Sequence, residues 1–460
     1  MTKIKEILIY AVMLISLTAC GEDDENRKVV LAETPNGHPF YFMPIYEKEV
    51  TDITITIAWP MGWAYDANNN PAVPYVAAEA ILSGGTKELA PQDVLELFND
   101  KNASGQLYVS ANHAIGELSF PKEHIEDVIS ITSEMLTAPQ FDQAWVERIK
   151  QGFLANQTQS HAQTANKMWA AARLAILGEG PLNDFLSLPD LGAIESVSLD
   201  NLRRWHSETI VRDGVTIAVT GAINRKDAGK TVDQLLSGLP KGKNLDVADT
   251  RPNIKPRTIL LHLPDAEKTT LGFIGQLPPT FEGNDLTDLL ALNFFSRPSN
   301  GPLFDAIRTE LRASYGFQAG FANFDRATRI MFIAGEVETA RLIQSKDVIS
   351  IAYEAYRSTP DLTNLSEFQQ RMADGTAQNI LYVDIAARTI LQLALDGRDP
   401  SDAPRLDELL AAITAKDVKE RLISVFPQSN NLIVVAASPD VDALPGACVI
   451  TQIKQVTQCP

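Results

Sequence analysis

The chain is poor in positive charge. Forty Lys and Arg stand against 58 Asp and Glu, a formal net charge of −18 over 460 residues. Phosphate backbones are bound by clustered Lys and Arg, so nucleic acid is not a partner to expect. The acidic excess serves solubility, or sets up a field that favours basic peptides. Histidine is scarce too. His38, His113, His124, His161, His206 and His262 make up the full set, and no two are three or four residues apart. No helix can therefore present two imidazoles from one face to one metal ion, and the six read as surface or hydrogen-bonded structural residues. Cysteine occurs three times, at Cys20, Cys448 and Cys459. Past the N-terminal leader, no stretch is long and apolar enough to cross a bilayer. The rest is ordinary for a folded protein, 45% hydrophobic and 21% charged. The length points to two or three domains.

The N-terminus differs in kind. Lys3 and Lys5 precede an apolar run from Ile7 to Leu17, and a polar, acidic stretch follows Cys20. That is the layout of a secretory signal, too short to span a membrane stably. Its ending, Leu17-Thr18-Ala19-Cys20, resembles a bacterial lipobox. The resemblance implies a leader over 1–20, acylation of Cys20 and an acidic tether over 21–28. Each buried CH2 adds about 0.8 kcal/mol, so two or three acyl chains anchor firmly where one does not. The alternative is a plain signal peptide with an incidental cysteine. Either way the chain is expected in a bacterial envelope, on the periplasmic side. Gly21 rather than Asp after the cysteine favours the outer membrane. An exported chain meets an oxidising compartment, so Cys448 and Cys459 are expected to pair. That loop would restrict the unfolded chain by roughly 3 kcal/mol; two free thiols are the other reading.

An internal repeat organises the remainder. Val128-Ile129-Ser130-Ile131 recurs as Val348-Ile349-Ser350-Ile351, and Glu134 and Pro139 correspond to Glu354 and Pro360. The alternating run around Ile55 matches that around Leu271. The capped helix start Ser198–Leu202 matches Thr414–Val418, and Val215–Val219 matches Leu432–Ala436. Five matches in order at nearly one spacing mark a duplication. The halves are 29–240 and 257–460, joined by a polar, proline-containing linker over 241–256. Strand-like runs lie near 51–59, 106–119 and 214–221. Ile125, Val128, Ile129, Thr132, Met135 and Leu136 form one helical stripe. The expected fold is α+β. Each half carries a mostly antiparallel sheet with helices packed on one face, and the halves face each other as a clamshell.

Four local stretches carry a further signal. They are Val76-Ala77-Ala78-Glu79-Ala80-Ile81-Leu82-Ser83-Gly84-Gly85-Thr86; Ala144–Lys150 after Pro139; Asp184–Asp200 with Val215–Gly221 and Gly238-Leu239-Pro240; and Gly301–Arg308 followed by Tyr315. With the duplication they make the chain resemble the pitrilysin/insulinase family of zinc peptidases. The resemblance is to the two-domain form, which includes mitochondrial processing peptidases and paired bacterial periplasmic peptidases. Catalytic members carry His-x-x-Glu-His on the first helix: two imidazoles four residues apart hold zinc, and the glutamate acts as general base on its water. Here the resemblance places Val76 and Ala80 at the histidine positions and Glu79 at the base. A distal acidic ligand would fall within Gln151–Asn156, at Ala155 or Asn156, and no carboxylate is there. The resemblance therefore implies a degenerate site, with neither metal nor cofactor held by this chain.

The second half keeps another family feature. Arg308 and, seven residues on, Tyr315 occupy the positions of a pair that grips substrate backbone opposite the zinc. A guanidinium is a rigid fork of donors, and a phenol adds one more. Thr309, Arg312 and Ala313 depart from the family pattern, as does the loop Ser296–Gly301. The resemblance thus implies a non-catalytic, substrate-holding subunit of a heterodimeric zinc peptidase. Its partner would be a homologous chain with an intact His-x-x-Glu-His and the zinc, and its substrate an unfolded peptide added at a sheet edge. The alternative is a peptide-binding or scaffold lipoprotein with no peptidase partner.

Overall fold

A computed structural model describes residues 26–187, 190–242, 254–283, 285–311 and 316–460. The leader, Cys20, most of the tether and linker, and Tyr315 lie outside the described residues. The fold is two-domain α+β, built on two six-stranded sheets. The first contains β1 (Val30–Glu33), β2 (Pro39–Pro44), β3 (Asp52–Pro60), β4 (Ser104–Val109), β5 (His113–Pro121) and β6 (Thr216–Gly221), in the order β1-β2-β6-β3-β5-β4. The second contains β7 (Arg257–His262), β8 (Thr269–Leu277), β9 (Gln318–Asn323), β10 (Arg329–Val337), β11 (Ile433–Ser438) and β12 (Cys448–Ile450), in the order β12-β7-β11-β8-β10-β9. Five strands correspond one to one, β2–β6 with β7–β11. Antiparallel pairs dominate. The exceptions are β2 with β6 and, in the second sheet, β7 with both β11 and β12.

Strand alternation sets the layers. On β3, Ile53, Ile55, Ile57 and Trp59 enter the core beneath the helices Val73–Ser83, Ile125–Thr137, Leu199–Thr209 and Arg225–Leu236. This is the period-two pattern of a strand buried on a helix layer. Thr54, Thr56 and Ala58 point the other way. That second face is covered by the helix Val383–Leu395, which belongs to the other half. Thr56 Oγ1 donates to Ala387 O at 3.4 Å and Thr220 Oγ1 to Val383 O at 2.8 Å. The second half mirrors this. Leu271, Phe273 and Leu277 of β8 face their own helices, while Ile274 faces the helix Thr164–Leu177 from the first half. Gly272 permits the approach, since a Cβ there would sit 3.0 Å from Met168 Sδ.

Helices therefore gather on one face of each sheet, and a single helix exchanged from the opposite half seals the other face. Met168, Leu174, Ile390 and Leu391 are all buried by this exchange. Each such side chain stabilises by about 1.5–3 kcal/mol. The strand-like run expected over 106–119 is a hairpin, broken at Ser110–Asn112. The turns of the two halves also meet. Asn112 Nδ2 donates to Tyr65 Oη at 2.6 Å, Tyr65 Oη donates to Asp325 Oδ2 at 3.2 Å, and Arg326 N donates to Asn112 Oδ1 at 3.1 Å. At the C-terminus, Cys448 and Cys459 are joined by a disulfide, with Cα atoms 5.7 Å apart. Among the described residues no helix is long and apolar enough to cross a membrane.

Candidate functional site

The helix Val73–Ser83 starts at a proline-containing first turn and is buried along Val76, Ala77, Ala80 and Ile81. Glycine ends it. A Cβ at Gly84 would lie 2.3 Å from Ala80 O, and Gly85 has φ +82°, so neither position tolerates a side chain without strain. Ser83 Oγ donates to Glu79 O at 2.6 Å and accepts from Trp145 Nε1 at 3.0 Å. That fixes the helix end against the long helix Gln143–Ala162, whose N-cap Asp142 accepts from Trp145 N at 2.8 Å.

Between these two helices lies a cavity of about 260 Å³, lined by Val76, Tyr75, Phe153, Asn156, Gln157 and Ser160 among others. The structure thus brings Val76 and Asn156 to one cavity. Ala80 is buried in the core beside it and is not in its wall, while Glu79 and Ala155 face solvent. Gln157 is buried in that wall. It was not singled out from sequence, because the helix is only weakly amphipathic and no periodic signal marks residue 157 as inward.

The donor chemistry does not fit zinc. Val76 and Ala80 offer hydrocarbon. Asn156 and Gln157 offer neutral amides, weak ligands beside thiolate, imidazole or carboxylate. Tyr75 donates its hydroxyl to Phe185 O at 3.1 Å, and burial pushes its phenol up to about 12 despite the nearby Arg173 charge. Among the described residues no three His, Cys, Asp or Glu converge as a metal site. His206 is half-buried and bonded to Leu136 O at 2.7 Å, and desolvation holds its pKa below the ordinary imidazole value.

Two larger cavities adjoin the halves. One, of about 770 Å³, shares Gln157 and Ser160 with the first. It runs along the helix Thr164–Leu177 to Ile453 near the C-terminus. The other, of about 650 Å³, lies where the turn Ser110–Asn112 meets the second half and contains His113, Asp285, Asp396, Arg326, Arg388 and Arg398. Burial raises the carboxyl pKa of both Asp285 and Asp396. Burial, then the Arg326 charge, pushes His113 down to about 4. In the second half, Arg308 is exposed on the helix Pro302–Glu310, its guanidinium carbon 5.7 Å from the Phe304 ring centre. The preceding loop is tight, since a Cβ at Gly301 would come within 2.5 Å of Arg297 O. Arg308 lines none of the three cavities.

Comparison with known proteins follows the same lines. Residues 196–363 match the model of the peptidase M16 inactive domain. A non-peptidase homolog, YmxG of Helicobacter pylori, is 24% identical over 163 residues, which is 35% of this chain and 38% of that protein. The chain thus spans well under half the length of that curated relative. Among solved structures, a peptidase M16 inactive domain from Pseudomonas fluorescens superposes with a TM-score of 0.80 at 18% identity, over 91% of this chain and all of that one. The periplasmic protease PqqL from Escherichia coli superposes with a TM-score of 0.70 at 14% identity, over 94% of this chain and half of that one. Residues 196–363 thus resemble the peptidase M16 inactive domain, the fold is that of M16 structures over nine-tenths of the chain, and together with the donor chemistry at the expected helix this supports an inactive pitrilysin/insulinase-like homologue.

Proposed function

We propose that this chain is the non-catalytic, substrate-holding subunit of a zinc peptidase of the bacterial envelope, tethered to the membrane through an acylated Cys20. Its partner is a homologous chain that carries His-x-x-Glu-His and the zinc. This chain forms half of the chamber, and Arg308 and Tyr315 hold the backbone of an unfolded peptide while the partner cleaves it. One observation carries the reading: the helix pair and its cavity persist, but the wall at residue 76 is valine. The scaffold of a hydrolytic site remains where the hydrolytic groups do not. The relatives' names, a non-peptidase homolog and a periplasmic protease, point the same way.

The test begins with the chain alone, which is expected to bind no stoichiometric zinc and to cleave no peptide. Mixed with a homologous chain bearing His-x-x-Glu-His, it should restore cleavage. Arg308→Ala and Tyr315→Phe should each then lower kcat/KM by roughly tenfold or more, the worth of a charged or buried hydrogen bond to substrate. Stoichiometric zinc with turnover by the chain alone would overturn the proposal. Unchanged cleavage in both variants would remove the holding role. Peptide binding with no effect on any peptidase would make the chain a passive carrier.

A further inference from the structure

Among the described residues Arg173 has no ionic partner. It sits in the apolar run Met168–Leu177 of the exchanged helix, in a chain with far more carboxylates than cations. Among the described residues no carboxylate pairs with it, and its Nε is shut away from solvent with no hydrogen-bond acceptor. Burial lowers its pKa, against a smaller opposing effect of the Tyr75 phenol. Arg173 is half-buried, and a partly dehydrated guanidinium without a counter-charge is costly, so proteins ordinarily pair such a group.

Arg173 is a wall residue of the 770 Å³ cavity that opens from the degenerate zinc site. Lys167 is half-buried in that wall as well, whereas Glu179, Asp184 and Lys454 are exposed. Asp190 already accepts from Ala193 N at 2.7 Å. A second group is also unsatisfied: Asn183 Oδ1, in the same wall, is buried without a donor. A cation lacking an anion and an acceptor lacking an N–H are what one end of a peptide supplies together. Trp169, Leu174 and Ile453 provide apolar wall for the rest of it, and the volume lies within the usual range for ligand sites.

We propose that this cavity is a carboxylate-binding site for peptides, in which Arg173 pairs with the carboxylate and Asn183 Oδ1 accepts an adjacent backbone N–H. The carboxylate is either the C-terminal one or that of an Asp or Glu side chain. The inference rests on the substrate-holding reading only in taking a peptide as the carrier, and it needs no peptidase partner.

The experiment uses the full chain alone and fluorescence anisotropy with three labelled probes. They are a short Ala/Ser/Leu peptide with a free C-terminus, the same peptide as its amide, and the amide with one internal Glu. At least one carboxylate-bearing probe should bind about tenfold tighter than the neutral amide, as charge-assisted bidentate pairing implies; which one does identifies the source. Arg173→Met should abolish that preference without lowering the Tm, because it removes a half-buried charge that no carboxylate pairs among the described residues. Arg173→Lys, which keeps the charge but loses the fork, should weaken it. Equal binding of all three probes to the parent chain would overturn the proposal, as would a preference that survives in Arg173→Met. Should Arg173→Met not fold, a preference unchanged in Arg173→Lys would overturn it. A chain without any peptidase partner leaves this outcome untouched, and failure here leaves the Arg308 test standing.

Discussion

If the helix pair Val73–Ser83 and Gln143–Ala162 is the frame of a lost zinc site, three substitutions should rebuild it. They are Val76→His and Ala80→His, four residues apart on one helix face, with Gln157→Glu from the facing helix. A parallel variant with Asn156→Glu decides which distal position points inward. The cost without metal follows from burial. Val76 and Ala80 are each 1% exposed. Val76 borders the 260 Å³ cavity, so an imidazole has room and the loss is mainly valine's burial, about 1.5–3 kcal/mol. Ala80 is in the core and not in the cavity wall, so histidine there overpacks it at about 1–3 kcal/mol. These two substitutions should therefore cost the apo variant about 2.5–6 kcal/mol. Zinc at roughly 100 times its dissociation constant should return about 2.7 kcal/mol, because only the folded state presents the site. The assay is urea unfolding in zinc and in EDTA, with zinc content measured after dialysis. A folded variant that zinc stabilises no more than the parent chain would refute the placement of the degenerate site.

Two further outcomes concern buried charge. Asp288 is fully buried and accepts from Arg329 Nη1 at 2.6 Å and from Arg421 Nε and Nη2 at 2.8 and 3.0 Å. Asp288→Asn leaves Arg329, itself fully buried, with Asp285 as its remaining carboxylate, and should lower stability by about 3–5 kcal/mol in urea unfolding; a loss under about 1 kcal/mol would show the network to be dispensable. His113 gives a pH dependence. Its folded pKa of about 4 lies below the ordinary 6.5, so the unfolded chain takes up a proton that the folded chain refuses. Stability from this group is complete above pH 6.5 and drains away as pH falls towards 4, by about 2 kcal/mol between about pH 7 and pH 4.5. Asp285 and Asp396, with raised pKa values in the same cavity, act in the opposite sense, since protonation relieves their burial. His113→Gln isolates the histidine's share. Its urea midpoint should fall less on acidification than the parent's, and parallel curves would contradict the assignment.

What could be read from sequence depended on whether the signal was local. The isoleucine alternation of β3 and its counterpart around Leu271 report a face buried on helices, and both strands are where the alternation places them. The stripe from Ile125 to Leu136 is a helix, Ile125–Thr137, with Val128, Ile129, Met135 and Leu136 in the core. Pro121 is the last residue of β5, and a short turn at Lys122–His124 precedes the helix. β2 was not legible, because it is short, bounded by prolines and aromatic rather than alternating. The exchanged helices were not legible for a different reason. An apolar stripe says that a helix is covered, but not which sheet covers it. The placing of a degenerate zinc site rests on family likeness alone, since valine and alanine in a buried helix carry no chemistry of their own. Arg173 could have been found in the sequence as one charge in an apolar run, which Glu79 also is. Burial separates the two, for Glu79 is exposed while Arg173 has a guanidinium nitrogen closed off from solvent.

The helix exchange bears on how an inactive homologue keeps its chamber. In a zinc enzyme the metal ties the first helix to the distal one. Here no donor set for such a tie converges among the described residues, and both helices are fixed by other means: the Trp145–Ser83 hydrogen bond, the Tyr75–Phe185 contact with ring centres 5.0 Å apart, and the glycine stop at Gly84-Gly85. The helix Thr164–Leu177 continues directly from the distal helix and is locked onto the other half's sheet through Met168, Ala171 and Leu174. The distal helix is therefore held at its far end by the second half, not by a metal at its middle. Substitutions that remove ligands from such a frame leave packing in the rest of it intact, whereas substitutions at Met168 or Gly272 would loosen the cavity wall and the joint between halves together.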